Sequence, residues 1–230
     1  MPGTLGCVIW LVGSILELAV VVSALTKHSF RRYLCLNLYM LFSVIVSAAR
    51  FQAVLQYGLH SRQYTYVYYY SDAILTIFLF LALITLYLHV FDEMGVEKYV
   101  RLTALLLLAG TALFSYAVVQ QSSHKMLTAF SYELSQNLYF VGLVLTYVLW
   151  GAILKLRETR TQLIQLVLSL GIYFSAFAAT YALQNMYPSF RLGYVVPVFG
   201  CLLPLAWAYA FWRLSPDARM APARLVVVPR

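Results

Sequence analysis

Residues 67–91 read VYYYSDAILTIFLFLALITLYLHVF. These positions hold one formally charged side chain, Asp72. As a helix the run extends about 37 Å, more than the roughly 30 Å hydrocarbon core of a bilayer. A helix apolar on every side belongs in a large protein core or in lipid. A chain of 230 residues is too small to wrap several such helices in its own core, so the stretch reads as a membrane crossing.

Working outward, six more windows have the same character: Leu5–Leu25, Tyr33–Tyr57, Leu102–Val119, Phe130–Leu154, Gln162–Leu183 and Tyr194–Trp212. The chain is 63% hydrophobic and 10% charged, against about a quarter charged in a soluble domain. The expected fold is therefore all-α, a polytopic seven-helix transmembrane bundle over residues 1–212, followed by a basic tail, 213–230. Three prolines in that tail (Pro216, Pro222, Pro229) predict disorder. The first window precedes its basic residues, Lys27, Arg31 and Arg32, whereas a signal peptide has the opposite order. It is kept as a membrane helix.

Charge sets the expected orientation. One set of loops and the tail carry twelve Lys and Arg, and the other set carries three: Arg62, Lys125 and Arg191. Basic residues favour the cytoplasmic side. This predicts an outside N-terminus and a cytoplasmic C-terminus in a plasma (inner) membrane. The tyrosine run Tyr64, Tyr66, Tyr68, Tyr69, Tyr70 falls at the opposite, outer interface, where an aromatic belt is expected. With the basic residues spread among apolar runs, no nucleic-acid partner is expected.

A shift of 128 residues superimposes the first three windows on the last three. Between Ala24 and Leu75 it gives twelve identities in 52 positions, including Lys27/Lys155, Arg32/Arg160, Ser47/Ser175, Gln56/Gln184 and Tyr66/Tyr194. Ordinary composition would give about four. The predicted layout is a 3+1+3 parallel repeat, with halves near 5–91 and 130–212 and an odd linker helix, 102–119, restoring direction. In topology alone this resembles the sugar-transporting and cargo-receptor families built as 3+1+3 triple-helix bundles. Those families tend to carry a helix-bending proline in each half. Here the first half has none after Pro2, and the second has Pro188, Pro197 and Pro204.

Several chemistries lack their residues. No lysine lies in the last window for a retinal Schiff base, and His89 is the one histidine inside a window. HExxH, CxxC and phosphate-cradling glycine motifs are missing. Cys7, Cys35 and Cys201 have no metal-ligand spacing. No catalytic residue, metal or cofactor is expected.

The candidate site comes from polar residues inside the windows, where an ionised side chain costs at least about 2.5–3.5 kcal/mol. Arg50 lies roughly 25 Å along its helix from Tyr33. Ser43, Ser47 and Arg50 form one stripe at i, i+4, i+7. Asp72 starts the next helix at about the same height and is the expected partner of Arg50. Glu17 lies near mid-membrane, as a proton- or cation-coupling site or as a neutral acid bonded to a neighbouring helix. Gln52, Gln56, Gln120, Gln121, Glu133, Gln136, Asn137, Gln184 and Asn185 make the outer half more polar. The ligand-binding candidates are Arg50, Asp72, Glu17, Gln56, Gln184, Asn137 and Ser47, suited to a small polar or aromatic ligand. Small-residue surfaces at Ser47–Ala49 and Ser175–Ala179 predict close helix packing. Three function classes stay open: a solute-binding carrier or receptor, a non-catalytic subunit associated with other membrane subunits, and a membrane enzyme acting on a lipid or isoprenoid.

Overall fold

The computed structural model describes residues 4–26, 30–58, 61–120, 126–187, 195–214 and 219. The rest of the tail, and Gln121, Lys125 and Arg191, lie outside them. The described residues form seven α-helices: α1 Thr4–Thr26, α2 Leu34–Tyr57, α3 Arg62–Val90, α4 Glu97–Gln120, α5 Met126–Leu156, α6 Thr161–Met186 and α7 Val195–Arg213. A single 3₁₀ turn, Asp92–Met94, joins α3 to α4. Six of the helices are long and apolar enough to cross a bilayer. The seventh, α7, has 19 residues and a length of about 28 Å. The chain is a multi-pass membrane protein.

Local chemistry explains the helix ends. Gly58 has φ +77° and its N–H bonds the Val54 carbonyl, closing α2 where a side chain would be strained. Three residues on, the Ser61 hydroxyl caps α3 by accepting from the Tyr64 N–H at 3.1 Å. α5 ends in a Schellman arrangement: Glu158 N–H donates to the Ile153 carbonyl and Arg157 N–H to the Leu154 carbonyl. Arg157 holds the left-handed position, φ +51°, that glycine usually fills. Within α7, Pro204 removes one backbone donor.

The helices close a ring in the order α1, α2, α3, α5, α6, α7 and back to α1. α3 and α6 also touch across it. α4 stands outside, against α5 and more lightly against α3. Sequential helices are therefore neighbours except at α4, where α5 takes the place beside α3. Trp207, Tyr33, Phe80, Phe174 and Phe211 are the largest fully buried side chains. Leu102, Leu105, Leu106, Leu113 and Phe114 of α4 are exposed, as lipid-facing residues should be.

Close approach in the bundle comes from glycine. A Cβ on Gly142 of α5 would overlap the ring of Phe174 on α6, and one on Gly171 of α6 would press on Thr146 of α5. The small-residue surfaces expected at Ser47–Ala49 and Ser175–Ala179 contribute less. Ala48, Ala49 and Ala179 are exposed, and Ala178 is buried. Small residues permit close packing, but helical phase decides which of them meet a neighbour.

Candidate ligand-binding site

The expected Arg50–Asp72 pair forms between α2 and α3, with Nη2 3.7 Å from Oδ1 and both side chains about one-fifth exposed. That separation is longer than the 2.7–2.9 Å of a charge-assisted hydrogen bond. Two of the guanidinium's five donors go elsewhere. Nε donates to Ser71 Oγ at 2.8 Å, and Nη2 donates to the Tyr68 carbonyl at 3.1 Å. Its Cζ also lies 4.4 Å from the centroid of the Tyr68 ring, within cation–π range. Arg50 is thus oriented by one turn of α3, and Asp72 is left partly to other helices. The Ser135 hydroxyl of α5 and the Tyr181 hydroxyl of α6 lie near its carboxylate, Ser135 Oγ without a hydrogen bond.

Beneath this pair the interior is aromatic and hydroxylated. Tyr139 of α5 stacks on Phe177 of α6 with centroids 5.0 Å apart, and Tyr173 lies 4.4 Å from the same ring. Tyr181 sits edge-on to Tyr132 at 5.4 Å. The Tyr139 hydroxyl faces Thr76 of α3, and the Tyr173 hydroxyl faces Tyr39 of α2. α2, α3, α5 and α6 therefore all contribute to one centre. Aromatic bodies with polar tips suit a ligand part apolar and part hydrogen-bonding.

Glu17 of α1 joins from the side. Its Oε1 accepts from Ser43 Oγ of α2 at 2.5 Å, and the Arg50 guanidinium lies within electrostatic reach of it. Ser47 is half-buried on the same stripe. The remaining candidates separate from the centre. Asn137 Nδ2 donates to Ser115 Oγ at 3.0 Å and so ties α5 to α4. Gln56 is exposed, and Gln184 is half-buried near the end of α6. Among the other expected outer polar residues, Gln52, Gln120 and Asn185 are exposed, while Glu133 and Gln136 are half-buried. The outer polarity does not converge on one wall.

Ser71, Ser135, Tyr139, Tyr173 and Tyr181 were not singled out in the sequence. One signal was there: Tyr173, Phe177 and Tyr181 recur at i, i+4, i+8, and Ser135 and Tyr139 at i, i+4, spacings that put each set on one helix face.

A separate polar cluster sits at the opposite end of the bundle. Glu158 accepts from the Arg160 side chain at 2.6 and 2.9 Å and from the backbone N–H groups of Thr159 and Arg160, each at 2.9 Å. Arg160 also donates to the His89 carbonyl at 2.8 Å, serving the C-terminal end of α3. These bonds, chiefly from the Arg160 side chain, hold the Glu158 carboxyl below its ordinary value of 4.5. A lowered carboxyl stabilises the fold above its unfolded-state value and loses that contribution as pH falls through the folded-state value. Glu158→Gln should cost about 2 kcal/mol at pH 7, the worth of a few charge-assisted bonds. Denaturation in mixed micelles should show that gap narrowing towards zero as the pH drops below 4.5. A gap unchanged at low pH would mean that the charge is irrelevant.

Comparison of the chain with protein families, curated proteins and solved structures finds no match. The functional reading rests on the residues themselves.

Proposed function

We propose that this multi-pass protein binds a small polar or aromatic solute at the Arg50–Asp72 centre, as a carrier or as a receptor open to the outer side. The observation that carries the reading is the geometry of the pair. A guanidinium and a carboxylate face each other at 3.7 Å, with the guanidinium held by Ser71 and the Tyr68 carbonyl rather than closed onto Asp72. Two charges made only to lock helices would close to bidentate contact, because that is what offsets their desolvation. Held apart beside tyrosine rings, they leave a place for a ligand's own polar groups.

The twelve-to-three bias in basic residues supports an orientation with Arg50 towards the outer side and the C-terminus in the cytoplasm. The ring order supports the duplication. Carrying α1, α2, α3 onto α5, α6, α7 and back preserves every neighbour relation around the ring and leaves α4 as the linker. In this reading the centre lies where α3 of the first half meets α5 and α6 of the second, so a rocking motion of the halves would open and close it. The second reading, a subunit of a larger membrane assembly, is favoured by α4, whose apolar outer face stands clear of the ring.

Thermal shift in detergent with a panel of amino acids, small carboxylates, amines, sugars and aromatic acids tests the proposal. At least one class should raise the melting temperature of the wild type and leave the Arg50→Gln/Asp72→Asn variant unmoved. Compounds that stabilise both proteins alike would contradict it.

A further inference from the structure

Among the described residues the centre contains one cation and two acids. Arg50 is bonded on the α3 side and paired with Asp72, while Glu17 approaches from α1. With both carboxyls ionised, the cluster carries one uncompensated negative charge inside the membrane, a costly condition. The two acids are not equally served. Asp72 has Arg50 directly and the hydroxyls of Ser135 and Tyr181 around it. Glu17 has the Ser43 hydroxyl at 2.5 Å on one oxygen, and its other oxygen, Oε2, is buried without a partner. α2 presents Ser43, Tyr39 and Arg50, and α7 presents the Cys201 thiol. None of these adds a second cation.

We infer that Glu17 is a proton-binding site of the centre, carrying a proton at neutral pH through its contact with Ser43 so that Arg50 serves Asp72 alone. The proton sits on Oε2, and Ser43 Oγ keeps donating to Oε1, which is then a neutral carbonyl oxygen. A neutral hydroxyl at Oε2 is far cheaper to leave unpaired than half of a carboxylate. Releasing the proton to water leaves a second carboxylate that competes with Asp72 for the same guanidinium. Proton occupancy at Glu17 and the geometry of the Arg50–Asp72 pair are therefore linked. A metal cation would need several oxygen ligands, and one free carboxylate oxygen with one hydroxyl is a poor set. The inference gives a regulation to the proposed ligand centre, but it concerns the ligand-free protein and can fail while ligand binding stands.

Difference infrared spectroscopy of ligand-free protein in lipid tests it. The wild type should show the carbonyl stretch of a protonated carboxylic acid at pH 7, disappearing at higher pH. Glu17→Gln, which mimics the neutral acid, should lack that band. Ser43→Ala keeps the acid and deletes its partner, so the band should persist and move to higher frequency. Absence of the band from the wild type at pH 7, or its survival in Glu17→Gln, overturns the inference. So does a Ser43→Ala band that does not move. Loss of the band on exchanging choline for sodium would assign the site to a metal cation instead, and would equally overturn it.

Discussion

Replacing Arg50 with alanine is expected to cost about 3–5 kcal/mol of stability and to abolish solute binding. The stability loss follows from what remains. Asp72 would lose its counter-charge between α3, α5 and α6, and would either stay ionised without one or take up a proton, each at a cost. Ser71 would lose the Arg50 donor, the Tyr68 carbonyl would keep only the Ser71 hydroxyl among its side-chain donors, and the Tyr68 ring would lose its cation. If an unpaired carboxylate is the cause, neutralising it should help. Arg50→Ala/Asp72→Asn should therefore recover more than half of the loss. Arg50→Lys should be milder in stability yet still lose binding, because an ammonium cannot reproduce the fork that reaches Ser71 and Tyr68 together. Denaturation of the single and double variants in mixed micelles forms a double-mutant cycle. Additive effects would show that the two residues do not sense each other.

Trp207→Ala is the second large effect, again about 3–5 kcal/mol. Trp207 is fully buried on α7. Its Nε1 donates to Ser169 Oγ of α6 at 2.9 Å, and its ring meets Tyr39 of α2 edge-on at 6.1 Å. Truncation removes a bridge among three ring helices and leaves a void that lipid chains cannot fill from outside. Trp207→Phe keeps most of the volume and loses one hydrogen bond. Ser169 still donates to the Leu166 carbonyl at 2.9 Å, so that variant should cost only about 1 kcal/mol. Equal losses for the two variants would mean that the indole N–H, rather than the packing, holds α7 in place.

These two residues also mark what the sequence could and could not disclose. The seven apolar windows reappear as seven helices because lipid imposes a length and an apolarity that composition records directly. Arg50 and Asp72 stood out because a charge inside an apolar run has an energetic cost, and their pairing followed from equal height on adjacent helices. Trp207 did not stand out. One more aromatic residue among many carries no sign of which neighbour it meets. Tyr139, Tyr173 and Tyr181 shared helix faces by their spacing, but that spacing does not say which neighbours they meet. Gln56 and Asn137 lie away from the Arg50–Asp72 pair for another reason, their phase on the helix. At 3.6 residues per turn, Gln56 points about 120° away from Arg50, and it is exposed. Asn137 lies roughly 160° around α5 from Ser135, so it meets α4 while Ser135 faces Asp72. Helical phase was readable in both cases. The position of α4 outside the ring, which decides what Asn137 touches, was not.

On the proposed function, a polar centre inside the membrane-spanning ring is reachable by solute from the outer side. Thiol labelling in intact cells addresses it most directly. In a variant with Cys7, Cys35 and Cys201 replaced, cysteine is placed at Ser71, beside Arg50. A membrane-impermeant thiol reagent added outside should label this position, and excess of the bound solute should slow the labelling. Labelling only from the cytoplasmic side, or none from either side in folded protein, would contradict the account.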